Sequence, residues 1–420
     1  MSGLRVLVVG ASIAGPSTAY WLAKAGANVT VIERFPKLCA GGQNIDIRSV
    51  GLAAMRKIPG MEAAVLANKY EMDGVGLVRE DGSLYGVLKA SGDPEQQSLV
   101  SEYEILRGDL SRILYDMTKD DDKVKYIFGE QVASMKHQAD GPISVEFANG
   151  SPAAEYDLVV ACDGATSRTR PMGLGCGLRD YMTPANIWAA YFTIPKDLLL
   201  GSKVGQGLGA VGGRNVVLSH DPTSNKNRAI LMAVLPRGQT DGTASFREAL
   251  KQGDESLKPF VARHFANIGW KTSEILKYMS TSDEFYASEV NLVKPPSLYK
   301  GRFTMVGDAG YSSGLSGVGT SLAMAGAYVL AGEISKHSND IPAALRAYEE
   351  TMKPIINELG QMPRFLPHIL GPQTAWGLWI RNQIFALICW TRVLDFAQRL
   401  FSGAFDSSEK HPLPNYEKLS

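Results

Sequence analysis

Residues 4–34 read LRVLVVGASIAGPSTAYWLAKAGANVTVIER, and this stretch decides the fold. The apolar run from Val6 to Val9 predicts a parallel strand that is buried on both faces. A turn bounded by glycines and a helix follow it, and a second strand ends at Glu33. The order of strand, glycine turn, helix, strand and acid predicts a βαβ unit that binds a dinucleotide.

The turn carries the residues expected to meet the dinucleotide. Gly10 permits the tight turn, Gly15 permits close packing of helix on strand, and free N–H groups at the helix start face the pyrophosphate. Pro16 suits the first helical position, where its missing N–H needs no acceptor. Ser12 replaces the middle glycine of G-x-G-x-x-G, so a βαβ unit without a nucleotide stays open on this stretch alone. The turn residues predicted to line the nucleotide are Gly10, Ser12, Ile13, Ala14 and Gly15.

Glu33 and the overall composition indicate which class of molecule the protein binds. Glu33 lies 18 positions after Gly15, close to the roughly 20 expected of an acid that accepts a hydrogen bond from ribose. The length of 420 residues allows two or three domains, and the 45% hydrophobic content is enough for sizeable cores. Lysine and arginine number 43, as do aspartate and glutamate, so the zero net charge argues against nucleic acid and favours a small-molecule partner.

The spacing of the cysteines and the first residues of the chain indicate the cellular compartment in which the protein works. The four cysteines lie far apart without C-x-x-C spacing, so we expect neither a metal site nor a disulfide framework. The chain enters its first strand within a few residues, which leaves no room for a secretory signal. These features favour a reducing, cytoplasmic location.

Two later strands also end in a glycine and an aspartate. The run from Tyr156 to Ala161 leads into Asp163 and Gly164, and a buried pattern that ends at Val306 leads into Gly307 and Asp308. A glycine-rich loop and a helix of small residues follow the second pair, with Thr320 as the predicted N-cap. Each strand thus delivers a carboxylate to the edge of a sheet where ligands bind.

Two arginines stand close to these motifs. Arg48 follows a glycine-rich loop and precedes a helix, where it could bind phosphate or an electron-rich ring, although solvated surface arginines are commoner. Arg107 stands in a predicted helix over residues 104–114. Taken alone, neither identifies a site.

In this order, the three signals resemble those of class A flavoprotein monooxygenases, the group of para-hydroxybenzoate hydroxylase and the tetracycline-inactivating monooxygenases. The resemblance covers roughly residues 4–350 and rests on Gly10 to Gly15 with Glu33, on residues 157–170, and on Gly307-Asp308. It implies that FAD is the cofactor and NAD(P)H the co-substrate. The further residues that it places at the cofactor are Glu33, Arg34, Arg48, Arg107, Val132, Asp163, Gly164, Asp308, Gly317, Val318, Gly319 and Thr320.

The resemblance also implies roles and a reaction. Glu33 would bind the adenosine ribose, Asp163 would serve both FAD and NAD(P)H, and Asp308 would hold the ribitol. NAD(P)H would reduce FAD, O2 would form a flavin C4a-hydroperoxide, and one oxygen atom would enter an apolar or aromatic small molecule in secondary metabolism. Many relatives have Ala-His-Pro after Gly-Asp-Ala, but this chain has Gly310-Tyr311-Ser312, so hydroxylation, epoxidation and Baeyer–Villiger insertion stay open. Tyr191, His220 and Tyr311 are candidates to line the substrate pocket, but no catalytic residue is predicted.

The predicted fold class is α/β, with a Rossmann-like FAD-binding domain, an inserted antiparallel β-sheet substrate domain and carboxyl-terminal helices. Strands over 187–194, 215–220 and 229–235 and a hairpin around Asp81-Gly82 indicate the inserted sheet. Gly207 to Gly212 spells G-x-G-x-x-G, but a strand follows it where a helix should begin, so we reject it. The predicted domains are 1–70, 100–180 and 290–345 for FAD, 71–99 and 181–289 for substrate, and 346–420 for the helices.

The segment from Phe365 to Phe405 is rich in tryptophan and phenylalanine and has two interpretations. It caps the substrate pocket and packs on the body, or its aromatic face makes a peripheral membrane contact. Its apolar runs are too short and interrupted to span a bilayer. Two other functions stay open, namely a flavin-dependent reductase or dehydrogenase and a flavin-fold protein that binds a metabolite without turnover.

Overall fold

A computed structural model of the chain describes residues 3–39, 42–70, 72–89, 103–138, 141–221, 224–236, 238, 241–337, 340–361, 365–391 and 412–419. The strands are β1 (Arg5–Val9), β2 (Asn28–Glu33), β3 (Asn44–Asp46), β4 (Gly74–Val78), β5 (Leu84–Lys89), β6 (Glu104–Leu106), β7 (Val124–Phe128), β8 (Val132–Lys136), β9 (Ile143–Phe147), β10 (Ala154–Tyr156), β11 (Leu158–Ala161), β12 (Met182–Ile194), β13 (Val204–Ala210), β14 (Arg214–Asp221), β15 (Lys226–Val234), β16 (Tyr286–Val293), β17 (Tyr299–Lys300) and β18 (Phe303–Met305). The helices are α1 (Ala14–Lys24), α2 (Val50–Arg56), α3 (Met61–Ala67), α4 (Arg107–Asp116), α5 (Thr169–Leu174), α6 (Ala244–Lys251), α7 (Asp254–His264), α8 (Thr272–Thr281), α9 (Asp308–Tyr311), α10 (Gly319–His337), α11 (Ile341–Leu359), α12 (Leu366–Leu370) and α13 (Ala375–Thr391).

A six-stranded sheet of order β17-β18-β11-β1-β2-β7 forms the first layer. Its strands run parallel except for β17 at one edge. Val6, Leu7 and Val8 are fully buried, so the predicted two-sided burial of β1 is confirmed. Helix α1 begins at Ala14, which places Pro16 third in the helix rather than first. The position is still tolerated because N–H groups of the first turn have no intrahelical acceptor.

A seven-stranded sheet of order β16-β12-β15-β14-β13-β4-β5 forms the second layer. It contains the predicted strands and hairpin, and β13 pairs parallel with β4 while its other pairs are antiparallel. Gly207 lies inside β13, so the rejection of the second glycine motif is confirmed. One face of this sheet packs on α6, α7 and α8 through buried residues such as Trp188, Phe192 and Leu231. The fold is therefore the predicted mixed α/β class.

The segment before Arg107 differs from the prediction. Residues 104–106 form strand β6, which pairs with β3, and α4 begins only at Arg107. Strand pairing with Asn44–Asp46 overrides the helical spacing of Leu106 and Leu110, because tertiary contacts outweigh a weak local propensity. The resulting two-stranded ribbon lies directly before α4.

The carboxyl-terminal helices connect the layers. Helix α11 packs on α10, and α13 packs on β5 of the second sheet. Residues 412–419 return to α10, where Tyr416 donates a hydrogen bond to Glu333 at 2.7 Å. None of the helices in the described part is long and apolar enough to cross a membrane. Predicted boundaries within 90–102 and tail residues 392–411 lie outside the described residues, and the domain division stays a prediction.

Candidate active site

The first glycine turn is packed without spare room. The carboxyl end of β1 is so close to β11 that a Cβ on Gly10 would lie 2.6 Å from the carbonyl oxygen of Cys162. A Cβ on Gly15 would overlap the carbonyl oxygen of Gly10. Only glycine allows α1 to start this close to the strand, which leaves its first N–H groups facing the end of the sheet. Ser111 on α4 supports the turn by donating to the carbonyl of Ser12 at 3.2 Å.

Glu33 lies at the end of β2, beside this turn. Its carboxylate accepts hydrogen bonds from the N–H of Ala11 at 2.9 Å and of Phe35 at 3.0 Å. The neighbouring Arg34 is exposed and lies over the ring of Phe35. Val132 is half-buried at the start of β8, and the N–H of Glu130, two residues earlier, donates to the Glu33 carbonyl. These three predicted positions, Glu33, Arg34 and Val132, thus lie near one end of the parallel sheet.

The second motif turns its carboxylate inward. Asp163 accepts hydrogen bonds from the Ser167 hydroxyl at 2.5 Å and from the N–H and hydroxyl of Thr169 at 3.1 and 2.8 Å. These bonds cap α5 and fix the loop, so Asp163 shapes the site before it meets any ligand. Gly164 has a positive φ of 83°, and a Cβ there would meet nothing within 4 Å. The loop is therefore open above Gly164.

Arg170 joins the second motif to the third. The side chain is fully buried, and its Nη1 donates to the carbonyls of Ala165 at 3.1 Å and Ala309 at 2.9 Å. Within the described residues its Nε and Nη2 have no hydrogen-bond partner. Burial lowers the pKa of this guanidinium, and the charge of Asp163 opposes that shift. Arg170 is not among the predicted site residues, although it lies in the segment 157–170 that carries the resemblance.

The third motif lies against the first. A Cβ on Gly307 would lie 3.0 Å from the Cβ of Ala14 in α1, and the backbone there has a φ of 72°. Asp308 follows, and its Oδ1 lies 3.4 Å from where a Cβ on Gly319 would be. The carboxylate is therefore held beside the first residue of α10. Helix α10 begins at Gly319, so Thr320 lies in its first turn and is not the predicted N-cap.

Asp308 is a solvent-reachable acid inside a cleft. Its side chain is exposed, yet surrounding protein raises the pKa of the carboxyl by desolvation, and the charge of Arg107 partly offsets that rise. Surface acids are not desolvated in this way, so both observations place Asp308 within a concave site. Gly317 and the half-buried Val318 lie directly before the start of α10. A Cβ on Gly317 would meet nothing within 4 Å.

The two arginines border this cleft. The backbone N–H of Arg48 donates to the Ser321 hydroxyl of α10 at 2.9 Å, and its guanidinium pairs with Asp46. Arg107 opens α4, and its side chain packs against Gly42. Glu104 on the adjoining ribbon accepts a hydrogen bond from Asn44, and burial raises the pKa of its carboxyl to about 7. A proton is therefore available beside the arginines near neutral pH.

The second sheet supplies the opposite wall. Alternation along the strands turns Tyr191, Ile230, Met232 and Val217 away from the buried core with α6, α7 and α8. We call this side of the sheet, with these four half-buried residues, the cleft face. Enclosure raises the pKa of Tyr191 to about 12, and the charge of Arg107 acts on the same phenol. The cleft therefore lies between the cleft face and the residues of the three motifs.

Two other residues that the sequence offered as lining for the substrate pocket, Tyr311 and His220, lie outside the cleft. Tyr311 is 3% exposed, and its hydroxyl donates to the Leu322 carbonyl inside the first layer, so it does not line the cleft as suggested by the sequence. His220 is buried on the far side of the second sheet, with Nδ1 3.3 Å from Asp197. Among the described residues no group of histidine, cysteine and acidic side chains could hold a metal ion.

Comparisons with known proteins identify the cofactor that this arrangement fits. The family described as FAD binding domain matches residues 3–362. A relative named FAD-dependent monooxygenase asL4, from Sarocladium schorii, is 30% identical over 416 residues, which cover 94% of each chain. A chain described as flavin-dependent monooxygenase, from an unknown prokaryotic organism, is 33% identical and covers 84% of this chain and 86% of its own length.

Solved structures show the same architecture. Tetracycline destructase Tet(51) superposes with a TM-score of 0.77 at 26% identity, over 99% of this chain and all of the other. Klebsiella pneumoniae HpxO, solved with FAD and uric acid, has the same fold, with a TM-score of 0.71 at 22% identity and 98% of each chain covered. The chain therefore belongs to the FAD-binding-domain family and is an FAD-dependent monooxygenase, as its ordered motifs predicted.

Proposed function

We propose that the protein uses NAD(P)H and O2 to insert one oxygen atom into an apolar or aromatic small molecule of secondary metabolism, by hydroxylation or epoxidation. The observation that carries this proposal is the cleft between Asp308 and the cleft face. One wall offers a carboxylate and a helix start, and the other offers Tyr191, Ile230 and Met232. A polar cofactor and an apolar substrate would thus meet in one enclosed place.

We assign the cofactor contacts by position. Glu33 would bind the adenosine ribose, the N–H groups at the start of α1 would face the pyrophosphate, and Asp308 would hold the ribitol. The start of α10 at Gly319 would face the isoalloxazine edge, where the positive end of the helix dipole would favour negative charge. FAD supplies the redox and oxygen-transfer chemistry when bound. The protein residues bind it, orient the substrate and exclude water.

Two other functions make different predictions. A reductase on this fold would oxidise NAD(P)H and reduce its substrate, and a dehydrogenase would oxidise its substrate and pass the electrons to a separate acceptor. Neither would consume one O2 per substrate molecule. A binding protein would hold ligand without substrate-stimulated NAD(P)H oxidation. Oxygen-electrode traces with NADPH or NADH and a panel of aromatic substrates separate the three. Product that carries one oxygen atom from labelled O2 supports the monooxygenase reaction, and unlabelled product with no O2 uptake contradicts it.

Asp308→Ala is expected to weaken FAD binding by roughly 10- to 100-fold, because one carboxylate hydrogen-bond acceptor for the ribityl hydroxyls is lost. Titration of apoprotein with FAD, followed by flavin fluorescence, measures the change. Asp116→Ala removes an exposed acid that pairs with Lys119 on the outer surface of α4, and it should leave FAD binding unchanged. Equal affinities for the two variants would contradict the assignment of Asp308.

We propose a cytoplasmic location and a peripheral membrane contact through α13. No disulfide joins the described cysteines to one another, which suits a reducing compartment. The outer side of α13 exposes Trp376 at 68%, Leu387 at 56% and Trp390 at 82%, and the sequence has no acidic residue between positions 358 and 395. Exposed tryptophans around aliphatic side chains suit the interface of a bilayer.

Replacing Trp376 and Trp390 together by glutamine is expected to abolish flotation with vesicles of phosphatidylcholine and phosphatidylglycerol. Leu200→Gln is the matched control, because Leu200 is 90% exposed in the loop before β13 and should not affect flotation. Wild-type protein that stays at the bottom of the gradient would contradict the membrane contact. So would a dimer that dissociates in the double variant, since the helix face would then be an interface between two copies.

A further inference from the structure

The two-stranded ribbon of β3 and β6 carries two carboxylates side by side. Strand pairing places Asp46 directly opposite Glu104, so the two side chains leave the ribbon on the same face. Ile45 and Ile105 point to the other face and pack on the core of the first layer. Directly opposed residues of an antiparallel pair have Cβ atoms about 5 Å apart. Two acids at this separation are costly to ionise together, because like charges repel.

Arg48 connects this pair of acids to α10. Its Nε donates a hydrogen bond to Asp46, and its backbone N–H donates to the Ser321 hydroxyl in the first turn of α10 at 2.9 Å. Glu104 accepts instead from the side-chain amide of Asn44 at 3.1 Å. The charge of Asp46 is therefore paired with a cation, whereas the hydrogen bond to Glu104 comes from a neutral donor.

Glu104 changes its charge near neutral pH. Burial is the main cause that raises the pKa of its carboxyl to about 7, and the charge of Asp46 adds to the rise. The amide hydrogen bond and the charge of Arg48 oppose it. Arg107 begins α4 three positions further on, and its charge acts on Asp308 in the cleft. Near pH 7 the ribbon thus exchanges a proton with solvent beside Arg48.

Tyr70 lies between this ribbon and the second sheet. Its N–H donates to the Glu104 carbonyl at 2.7 Å, and Lys69 before it pairs with the ribbon through the backbone. Burial raises the pKa of the Tyr70 phenol to about 12, while the nearby charges of Asp221 and Arg228 act on it in opposite directions. This phenol stays neutral where Glu104 titrates, so the change of charge comes from the carboxyl.

We propose that Glu104 is a positioning residue that sets, through Arg48, the charge that the ribbon presents to FAD bound beside α10. While Glu104 is neutral, Asp46 and Arg48 balance each other. When Glu104 ionises, the cluster gains one excess negative charge, which attracts the guanidinium to the ribbon and disfavours added electrons on the cofactor. Reduction of FAD is therefore favoured below neutral pH. This inference rests on the proposed function, because it places FAD beside Arg48.

The first test measures the reduction potential of bound FAD in the holoprotein, by equilibration with a redox dye. Glu104→Gln cannot ionise but keeps an oxygen that accepts from Asn44. Between about pH 6 and pH 8.5, the potential of the wild type should fall by about 30 mV more than that of Glu104→Gln, which is a roughly tenfold change for a two-electron couple. Glu155→Gln is the matched control, because it makes the same substitution at an exposed strand position and should follow the wild type.

The dependence on Arg48 is tested with a double-mutant cycle. Arg48→Met should lower the potential of bound FAD at every pH, because a cation near the cofactor is lost. In the Arg48→Met background, Glu104→Gln should change the pH dependence by about threefold or less instead of tenfold, since the two residues act together. A purely structural role of Glu104 would leave these potentials unchanged.

Unfolding of the apoprotein by denaturant gives a second measurement that needs no FAD. A carboxyl whose pKa is raised in the folded state stabilises the fold at low pH, and this contribution is lost as pH rises through the folded value. Between about pH 5 and pH 8, the folding equilibrium of the wild type should fall roughly 100-fold relative to that of Glu104→Gln. Equal profiles would show that Glu104 does not titrate in this range, and the inference would fail.

The remaining outcomes separate the inference from the proposed function. The same pH dependence of the potential in wild type and Glu104→Gln, with a lowered potential in Arg48→Met, would overturn only the role of Glu104. A potential that Arg48→Met leaves unchanged would overturn the inference together with the placement of FAD beside Arg48. Protein that takes up no FAD would contradict the proposed function itself.

Discussion

Gly15→Ala is expected to weaken FAD binding by roughly 10- to 100-fold and to lower the melting temperature. The added methyl group would overlap the carbonyl oxygen of Gly10 and lie 3.0 Å from its carbonyl carbon. The backbone cannot relieve this overlap locally, because Gly10 itself is packed on Cys162, directly after β11 in the neighbouring position of the sheet. Helix α1 must therefore move away from the sheet, and its N–H groups leave the pyrophosphate position.

FAD titration of the apoprotein and thermal unfolding with excess FAD measure both effects. Ser12→Ala is the matched control, because it changes the same turn by one atom without adding bulk. Its affinity for FAD should stay within about threefold of the wild type, since the turn binds phosphate chiefly through backbone N–H groups. Gly15→Ala protein that binds FAD as the wild type does would show that the close approach of helix and strand is dispensable.

Arg170→Ala is expected to destabilise the protein by about 3–5 kcal/mol, because it leaves a large cavity and two buried carbonyls without a donor. Those carbonyls belong to Ala165 and Ala309, one in each of the two aspartate motifs. Loss of the bridge frees the motifs from one another, so we also expect FAD to dissociate during purification. Denaturant unfolding of the holoprotein and its ratio of flavin to protein absorbance measure the two losses.

Arg168→Ala is the control for this experiment, since Arg168 is exposed and lies two residues earlier, directly before α5. It should change the free energy of unfolding by less than about 0.5 kcal/mol. Arg170→Met shows how much of the lost stability comes from the cavity and how much from the lost hydrogen bonds. Its side chain fills the cavity but cannot donate to either carbonyl. A stability of Arg170→Ala equal to that of Arg168→Ala would show that the two motifs are held together by other contacts.

Asp163 shows where sequence reasoning reaches its limit. The motif around it correctly marks a loop at the end of a parallel strand, and the loop does lie beside the other two motifs. Its carboxylate, however, accepts hydrogen bonds from Ser167, Arg168 and Thr169 of its own loop. A short polar sequence cannot reveal whether an acid faces a ligand or caps the next helix, because both uses favour aspartate at a turn.

Arg170 was missed for a different reason. It is one arginine among 43 basic residues, and nothing in its neighbours along the chain marks it as buried. It is recognised by its bond to Ala309, which is 139 positions away. Contacts at such separations depend on how the strands are ordered, which local patterns do not encode.

The sequence by itself determined the βαβ unit at Gly10, the two later Gly–Asp turns, the α/β class and the FAD-dependent monooxygenase family. These features are local, because strand burial and glycine turns are set by residues close together in the chain. Only the tertiary structure decided that β6 is a strand, that Asp308 lies in a cleft facing Tyr191, and that Arg170 joins the second motif to the third. Each depends on the pairing and packing of distant segments, where burial and register outweigh local propensity.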